Sequence, residues 1–201
     1  MAKPKKSKPA SKTSRRSRRK SSTAKPTVSK TFSSDGVPDK KLFRICMVLA
    51  VVLAIADQFT KWAALEGLSP HVPVSVLPFF NLTLAFNSGA AFSFLSDAGG
   101  WQRWLFIGLA GVISIFLIYW LRQLQKHELW TGIALGLILG GALGNVWDRL
   151  FRSGQVVDFI DIYIGNAHWP AFNLADSSIF MGAAIVVIQA IHEAATGRDS
   201  D

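Results

Sequence analysis

Two aspartates lie at the polar edges of long apolar segments. Asp158 occurs in Gln-Val-Val-Asp-Phe-Ile-Asp, and Asp176 occurs in Ala-Phe-Asn-Leu-Ala-Asp-Ser. Carboxylates at a membrane boundary are costly and therefore indicate a function. When two carboxyls lie close together they do not both ionise easily, so one keeps a proton as an acid while the other acts as a base. Such a pair can activate water, and the sequence therefore suggests an intramembrane aspartic protease.

Other residue types that could carry out chemistry are sparse. The one cysteine, Cys46, lies inside the first apolar run, which excludes an intrachain disulfide and a cysteine-based metal site. The four histidines are scattered, without a His-Glu-x-x-His motif or another ligand spacing. Ser177 and Ser178 follow Asp176, but no His or Lys is placed by the sequence to activate them, so we interpret them as first-turn helix residues near a cap. We therefore expect neither a metal nor a cofactor.

Four segments are long and apolar enough to cross a bilayer, for which a helix needs about 20 residues. These segments are 42–64, 104–121, 129–147 and 169–191. The second and third contain no charged residue, whereas a soluble helix of this length would show a polar face. In residues 65–103, alternation with aromatic and β-branched residues is typical of short strands. The predicted fold is a membrane all-α, four-transmembrane-helix bundle with a small extracytoplasmic β-rich platform.

The positive charge is concentrated at one end of the chain. Of the 22 Lys and Arg residues, 15 lie in residues 1–44, and the remainder of the chain is mildly acidic. Residues 1–41 are rich in Ser, Lys, Arg and Pro and lack the apolar content for a core, so we expect a disordered basic arm. Because the basic excess is confined to this arm, no nucleic-acid partner is predicted. Residues 42–193 form the predicted four-span domain, and 194–201 form a short tail.

Charge also predicts the orientation in the membrane. Basic residues near the ends of spans stay in the cytoplasm, and both the arm and the loop with Arg122 and Lys126 carry them. Four crossings then place both termini in the cytoplasm and both aspartates, Asp158 and Asp176, at the outer face.

The third apolar segment carries two further patterns. Gly132, Gly136, Gly140 and Gly144 recur every four residues and predict a ridge where another helix approaches closely. Asn145, Asp148 and Arg149 follow at i, i+3 and i+4, so they share one helical face at the outer boundary.

Five motifs occur in order along the four spans. They are Asp57-Gln-x-x-Lys61, Asn87-Ser-Gly-Ala-Ala-Phe92, Gly144-Asn-x-x-Asp-Arg149, Val156-Val-Asp-Phe159 and Phe172-Asn-Leu-Ala-Asp-Ser177. With these motifs the chain resembles, over about residues 42–193, the bacterial lipoprotein signal peptidases (signal peptidase II). The resemblance implies an inner-membrane aspartic endopeptidase that removes the signal peptide from prolipoproteins, cutting before a cysteine that carries a diacylglyceryl group.

The same resemblance assigns residues to the site. Asp158 and Asp176 correspond to the catalytic pair of the family. The other matching positions, in or around the site, are Asp57, Lys61, Asn87, Asn145, Arg149 and Asn173.

The roles of these other residues are left open by the sequence. Asp57 and Lys61 are in the favourable order for a helix ion pair, so they could serve structure or the site. Arg149 could pair with Asp148, or its guanidinium could hold backbone carbonyls or lipid ester oxygens. The asparagines must be hydrogen-bonded where they are buried, to one another or to substrate backbone.

Asp161 competes with Asp158 for a place in the pair. The two are three residues apart and would share a face of a helix. Otherwise Asp161 is expected to be an exposed loop charge.

Two other classes of function fit a four-span chain. A small transporter or channel would use membrane-embedded acids as relays, but it predicts acids near the middle of a span. A non-catalytic scaffold would use the glycine ridge and polar residues only for assembly. The sequence predicts prolipoproteins and membrane lipid as partners, and it predicts no particular oligomeric state.

Overall fold

The computed structural model describes residues 1–2, 36–89 and 99–197. In these residues the chain forms four helices: α1 Lys40–Gly67, α2 Trp101–Leu121, α3 Leu129–Phe151 and α4 Leu174–Thr196. The same residues form four strands: β1 Val74–Leu77, β2 Phe80–Asn87, β3 Val156–Ile164 and β4 Ala167–His168. Most of the predicted arm, the end of the tail and Ala90–Phe92 of the second motif lie outside the described residues.

The helices present apolar side chains outwards. All four are long and apolar enough to cross a membrane. Val112, Ile115 and Phe180 are 67%, 71% and 73% exposed. Apolar exposure on this scale indicates a surface that faces lipid rather than water. The predicted class, a four-span membrane protein with a small sheet, is therefore confirmed.

Helix α3 packs closely against both α1 and α4. A Cβ built on Gly140 would lie 2.8 Å from the carbonyl oxygen of Ala50 in α1, and a Cβ on Gly182 of α4 would lie 2.6 Å from the carbonyl oxygen of Ala134. Contacts this short are not tolerated, so glycine is required for the helices to approach to this distance. The predicted role of the glycine ridge in helix packing is confirmed.

The four strands form one antiparallel sheet in the order β1-β2-β3-β4. We predicted strands only within 65–103, but that segment supplies β1 and β2 alone, whereas β3 and β4 come from residues predicted to be a connecting loop. The reason is burial, because the first four residues of β3 are all buried and the strand therefore shows no alternation of polar and apolar residues.

The fourth span begins at Leu174, five residues later than predicted. Phe172 exchanges backbone hydrogen bonds with Ile160 of β3, at 3.0 and 2.8 Å between nitrogen and oxygen, so this part of the chain belongs to the sheet edge. Asn173 is then extended (φ −137°, ψ −174°), and its side chain caps α4. This junction places Asn173 and Asp176 beside β3.

Candidate active site

A cavity of about 1190 Å³ is lined by residues of β2, α3, β3, β4 and α4. Its wall includes Asp158 and Asp176, and also Asn87, Asn145 and Arg149. Much of the remaining wall is apolar, with Phe86, Ile162, Trp169, Phe172, Ile179 and Phe180. Five of the eight predicted site residues therefore meet in one cavity.

Asp158 lies in β3 opposite Ala85 of β2 and is almost fully buried. Its Oδ1 accepts a hydrogen bond from Nδ2 of Asn173 at 2.6 Å. Burial, and after it the nearby charge of Asp176, raise the pKa of Asp158 to about 7, although hydrogen bonds from Asn173 and Asn87 act in the opposite direction. Near neutral pH this carboxyl is therefore present in both forms, as a proton donor requires.

Asp176 lies in the first turn of α4. Its Oδ1 accepts a hydrogen bond from Nδ2 of Asn145 at 2.8 Å. Its backbone N–H donates to Oδ1 of Asn173 at 2.9 Å. The carboxyl therefore lies at the N-terminal end of α4, where the first N–H groups of the helix have no partner within the helix.

Asn173 connects the two aspartates. Its Oδ1 caps the helix that carries Asp176, and its Nδ2 donates to Asp158. The side chain is completely buried, so both ends of the amide are used within the protein. One side chain thus fixes the positions of both carboxyls.

Asp57 and Lys61 form the predicted ion pair, with 2.8 Å between Nζ and Oδ2. Both side chains are buried and neither lines the cavity. Asp57 Oδ1 accepts from the backbone N–H of Ala175 at 2.9 Å, in the first turn of α4. Lys61 Nζ donates to Oδ1 of Asn145 at 3.0 Å. Both residues therefore contact groups that adjoin the cavity wall.

Three residues outside the predicted set of site residues form a cluster with Asp57 and Lys61. They are Gln58, Asp148 and Arg152. Asp148 lies 2.8 Å from Lys61 through Oδ2 and also forms an ion pair with Arg152. Gln58 donates to Asp148 Oδ1 at 2.9 Å and accepts from Arg152 at 3.0 Å. Two cations thus offset two carboxylates, as buried charges require. The i, i+4 spacing of Asp148 and Arg152 was the available sequence signal.

Arg149 points to the cavity rather than to Asp148. Its NH2 donates to the backbone carbonyl of Gly89 at 2.8 Å, and its guanidinium lies 5.0 Å from the centroid of the Phe106 ring. Its Nε–H is buried and has no partner within the described part of the chain. Of the two roles considered, the structure supports the contact with a backbone carbonyl.

The expectations for Asp161 were wrong. Because residues 156–164 form a strand, positions three apart point to opposite faces, so Asp158 and Asp161 do not share one. Asp161 is buried rather than exposed. It accepts from Nδ2 of Asn81 at 3.1 Å and lies 2.8 Å from Nδ1 of His168. The cavity wall includes Asp158 and His168 but not Asp161.

The serines after Asp176 have structural partners. Ser177 Oγ donates to the carbonyl of Asn173 and Ser178 Oγ donates to that of Leu174, both at 2.8 Å. Their interpretation as first-turn helix residues is confirmed. In the described ranges no group of three His, Cys, Asp or Glu side chains could hold a metal ion.

The family model and the similar sequences all indicate the same protein family. The model of the family described as signal peptidase (SPase) II matches residues 49–192. A lipoprotein signal peptidase of Acinetobacter baylyi is 54% identical over 144 residues, which cover 72% of this chain and 80% of the relative. One from Aeromonas hydrophila is 56% identical over 141 residues, covering 70% and 84%.

Two solved structures of bacterial membrane enzymes have a similar fold. A bacterial membrane enzyme determined by the in meso method at 2.3 Å resolution superposes with a TM-score of 0.68 at 31% identity, covering 79% of this chain and 93% of the other. A second, determined at 1.9 Å by the same method, has a TM-score of 0.63 at 34% identity, covering 73% and 92%.

Proposed function

This chain belongs to the signal peptidase II family and acts as a lipoprotein signal peptidase, and we propose that it is an aspartic endopeptidase whose catalytic residues are Asp158 and Asp176. The observation that carries the proposal is that the two carboxyls line one cavity and are joined through Asn173. The pKa of Asp158, raised to about 7, also supports a pair in which one member keeps its proton.

The proposed reaction is a direct attack by water. Asp176, acting as the base, takes a proton from a water held between the carboxyls, and the water oxygen attacks the scissile carbonyl. Protonated Asp158 donates its proton to the developing oxyanion, which gives a gem-diol. As the C–N bond breaks, the leaving nitrogen receives the proton that Asp176 took from water, and a gem-diol hydroxyl returns a proton to Asp158, so both carboxyls regain their starting forms. No acyl-enzyme forms, and no metal or cofactor takes part.

The apolar wall of the cavity supports a membrane-derived substrate. We propose that the apolar signal peptide lies against the spans in the bilayer, with the segment before the diacylglyceryl-modified cysteine extended across the cavity. The acyl chains remain in the lipid. The side chains of Arg149 and Asn87 then face the substrate backbone from the cavity wall.

Cleavage of a synthetic lipopeptide tests this function. Detergent-purified full-length protein should cut a prolipoprotein peptide before its diacylglyceryl cysteine, and a peptide with an unmodified cysteine should be cut far more slowly. Mass spectrometry of the products gives the bond that is broken. Chelator should leave the rate unchanged. Inhibition that is reversed by an added metal would replace the aspartic mechanism, and absence of any cleavage would support a transporter or a scaffold.

The proposed orientation has both termini in the cytoplasm and the site at the outer face of the inner membrane. Its support is that the start of α1 contacts the loop with Arg122 and Lys126, through a 2.8 Å hydrogen bond from Asp39 N to Leu124 O, while Asp158 lies among the other ends of the helices. The proposed domain remains 42–193, with the basic arm and the tail in the cytoplasm.

Reporter fusions test the orientation. Fusions after Arg122 and after Arg198 should both report the cytoplasm, and a fusion after Ser96 should report the outside, because basic flanks are retained inside. An external signal at 198 would exclude four crossings from a cytoplasmic N-terminus.

A further inference from the structure

The ammonium of Lys61 is completely enclosed by three oxygen acceptors. Its Nζ lies 2.8 Å from Asp57 Oδ2, 2.8 Å from Asp148 Oδ2 and 3.0 Å from Asn145 Oδ1. An ammonium has three N–H donors and no acceptor, so its hydrogen-bonding capacity is fully used by these contacts. The side chain has no exposed area, and neither the water nor the peptide of the proposed reaction reaches it.

This contact orients the Asn145 amide, together with a longer hydrogen bond of 3.4 Å from Nδ2 of Asn173 to the same Oδ1. Since Lys61 offers only donors, the atom of Asn145 that faces it must be the carbonyl oxygen. The NH₂ group is thereby directed to Oδ1 of Asp176, 2.8 Å away. In the reverse orientation, the NH₂ group would face the ammonium and the amide oxygen would face the carboxylate, which is repulsive on both sides.

We propose that Lys61 is a positioning residue for the reaction, which acts through Asn145 by holding the amide so that its N–H is donated to Asp176. The N–H orients the carboxyl of Asp176 as the base that takes the proton from water. This inference rests on the proposed function and assigns the buried cluster of Asp57, Lys61, Asp148 and Arg152 a part in it.

The charged groups around Asp158 and Asp176 predict the direction in which the pKa of Asp158 changes when Lys61 is lost. The catalytic pair consists of Asp158 in β3 and Asp176 in α4, whose charges act on each other. Helix α1 contributes Asp57 and Lys61 to the surroundings of this pair, and helix α3 contributes Asp148 and Arg149. Burial and the charge of Asp176 raise the pKa of Asp158, whereas the charge of Lys61 lowers it. Loss of Lys61 would thus make Asp158 hold its proton to higher pH.

The test is the pH profile of Lys61→Met in full-length enzyme with the lipopeptide. We expect kcat at neutral pH to fall about tenfold to a hundredfold, the effect of one hydrogen bond to a charged group, with little change in KM. The alkaline limb of the profile, which reports protonated Asp158, should move to higher pH, since the charge of Lys61 lowers the pKa of this carboxyl and its loss favours proton binding.

Arg152→Met is the matched control. Arg152 is the other cation bound to Asp148, but it has no contact with Asn145 among the hydrogen bonds of the described residues. If the cluster only balances buried charge, the two variants should behave alike. If Lys61 positions Asn145, Arg152→Met should lose stability yet keep the wild-type pH profile.

A second variant allows for the possibility that Lys61→Met does not fold, because it leaves two buried carboxylates with one cation. Lys61→Met combined with Asp148→Asn removes one charge of each sign and still lacks the ammonium donor to Asn145, leaving only the longer hydrogen bond from Asn173 at 3.4 Å. A shift of the profile in this variant, absent in Arg152→Met, supports the proposal. A folded double variant with the wild-type profile, or an equal shift in Arg152→Met, overturns it. Activity in Asp176→Asn would instead overturn the proposed function itself.

Discussion

Asp158→Asn and Asp176→Asn should each abolish cleavage of the lipopeptide while the helix bundle stays folded. The amide keeps the shape of the carboxyl, but it can neither carry the negative charge that takes a proton from water nor deliver a proton to the leaving group. We expect kcat to fall by about four orders of magnitude in either variant, the scale seen when a member of a catalytic unit is removed. Initial rates by mass spectrometry, with the thermal midpoint of the purified protein measured alongside, give both quantities.

Asp161→Asn provides the matched control for this loss. Asp161 lies in the same strand as Asp158 and is also buried, but its carboxyl does not line the cavity; its partners are Asn81, which also does not line the cavity, and His168, which lies on the cavity wall. The variant should keep substantial activity even where stability declines. The double variant of Asp158 and Asp176 should be hardly slower than either single one, because residues that act as a unit are not additive. An active Asp176→Asn enzyme, or a folded but inactive Asp161→Asn enzyme, would mean that the pair is assigned wrongly.

The helices were predictable because hydropathy and the spacing of glycines act locally along the chain. The apolar content of each span and the four-residue repeat in α3 are properties of contiguous sequence. The strand β3 was missed for a physical reason. It is buried on both sides where it pairs with β2 and Phe172, so its sequence lacks the period of two that marks a half-exposed strand.

The candidate site likewise combines contacts that are local in the sequence with contacts between distant residues. The ion pair between Asp57 and Lys61 follows from their spacing on α1, and the structure contains it. The contacts that give this pair a place near the cavity are not local, since Lys61 meets Asn145 across 84 positions and Asp57 meets the backbone of Ala175 across 118. No periodicity encodes such distances, which is why the sequence left the roles of both residues open.

After the two aspartates, Asn173 should be the residue whose substitution reduces kcat most. Asn173→Ser and Asn173→Asp both retain an oxygen that can cap α4, so the helix start is expected to remain in place. Neither can donate the N–H that reaches Asp158 Oδ1 at 2.6 Å, because serine is too short and aspartate is an acceptor. We expect kcat to fall about a hundredfold in each, the upper range for one hydrogen bond to a charged group.

The pH profile of Asn173→Ser distinguishes loss of this hydrogen bond from loss of structure. In the native protein the bond from Asn173 favours ionised Asp158 and so opposes the increase of its pKa to about 7. Without the bond, the pKa of Asp158 should increase further, the carboxyl should keep its proton to higher pH, and the alkaline limb of the profile should move upwards.

Asn81 provides a control that separates loss of the hydrogen bond to Asp158 from general destabilisation of the protein. Asn81 is also buried and donates to a buried carboxylate, Asp161, away from the cavity. Asn81→Ser should therefore reduce the thermal midpoint about as much as Asn173→Ser but leave kcat and the alkaline limb near their wild-type values. Equal losses of kcat in the two serine variants, or an Asn173→Ser enzyme with a normal rate and profile, would show that Asn173 does not tune Asp158 and that its cap on α4 is its whole contribution.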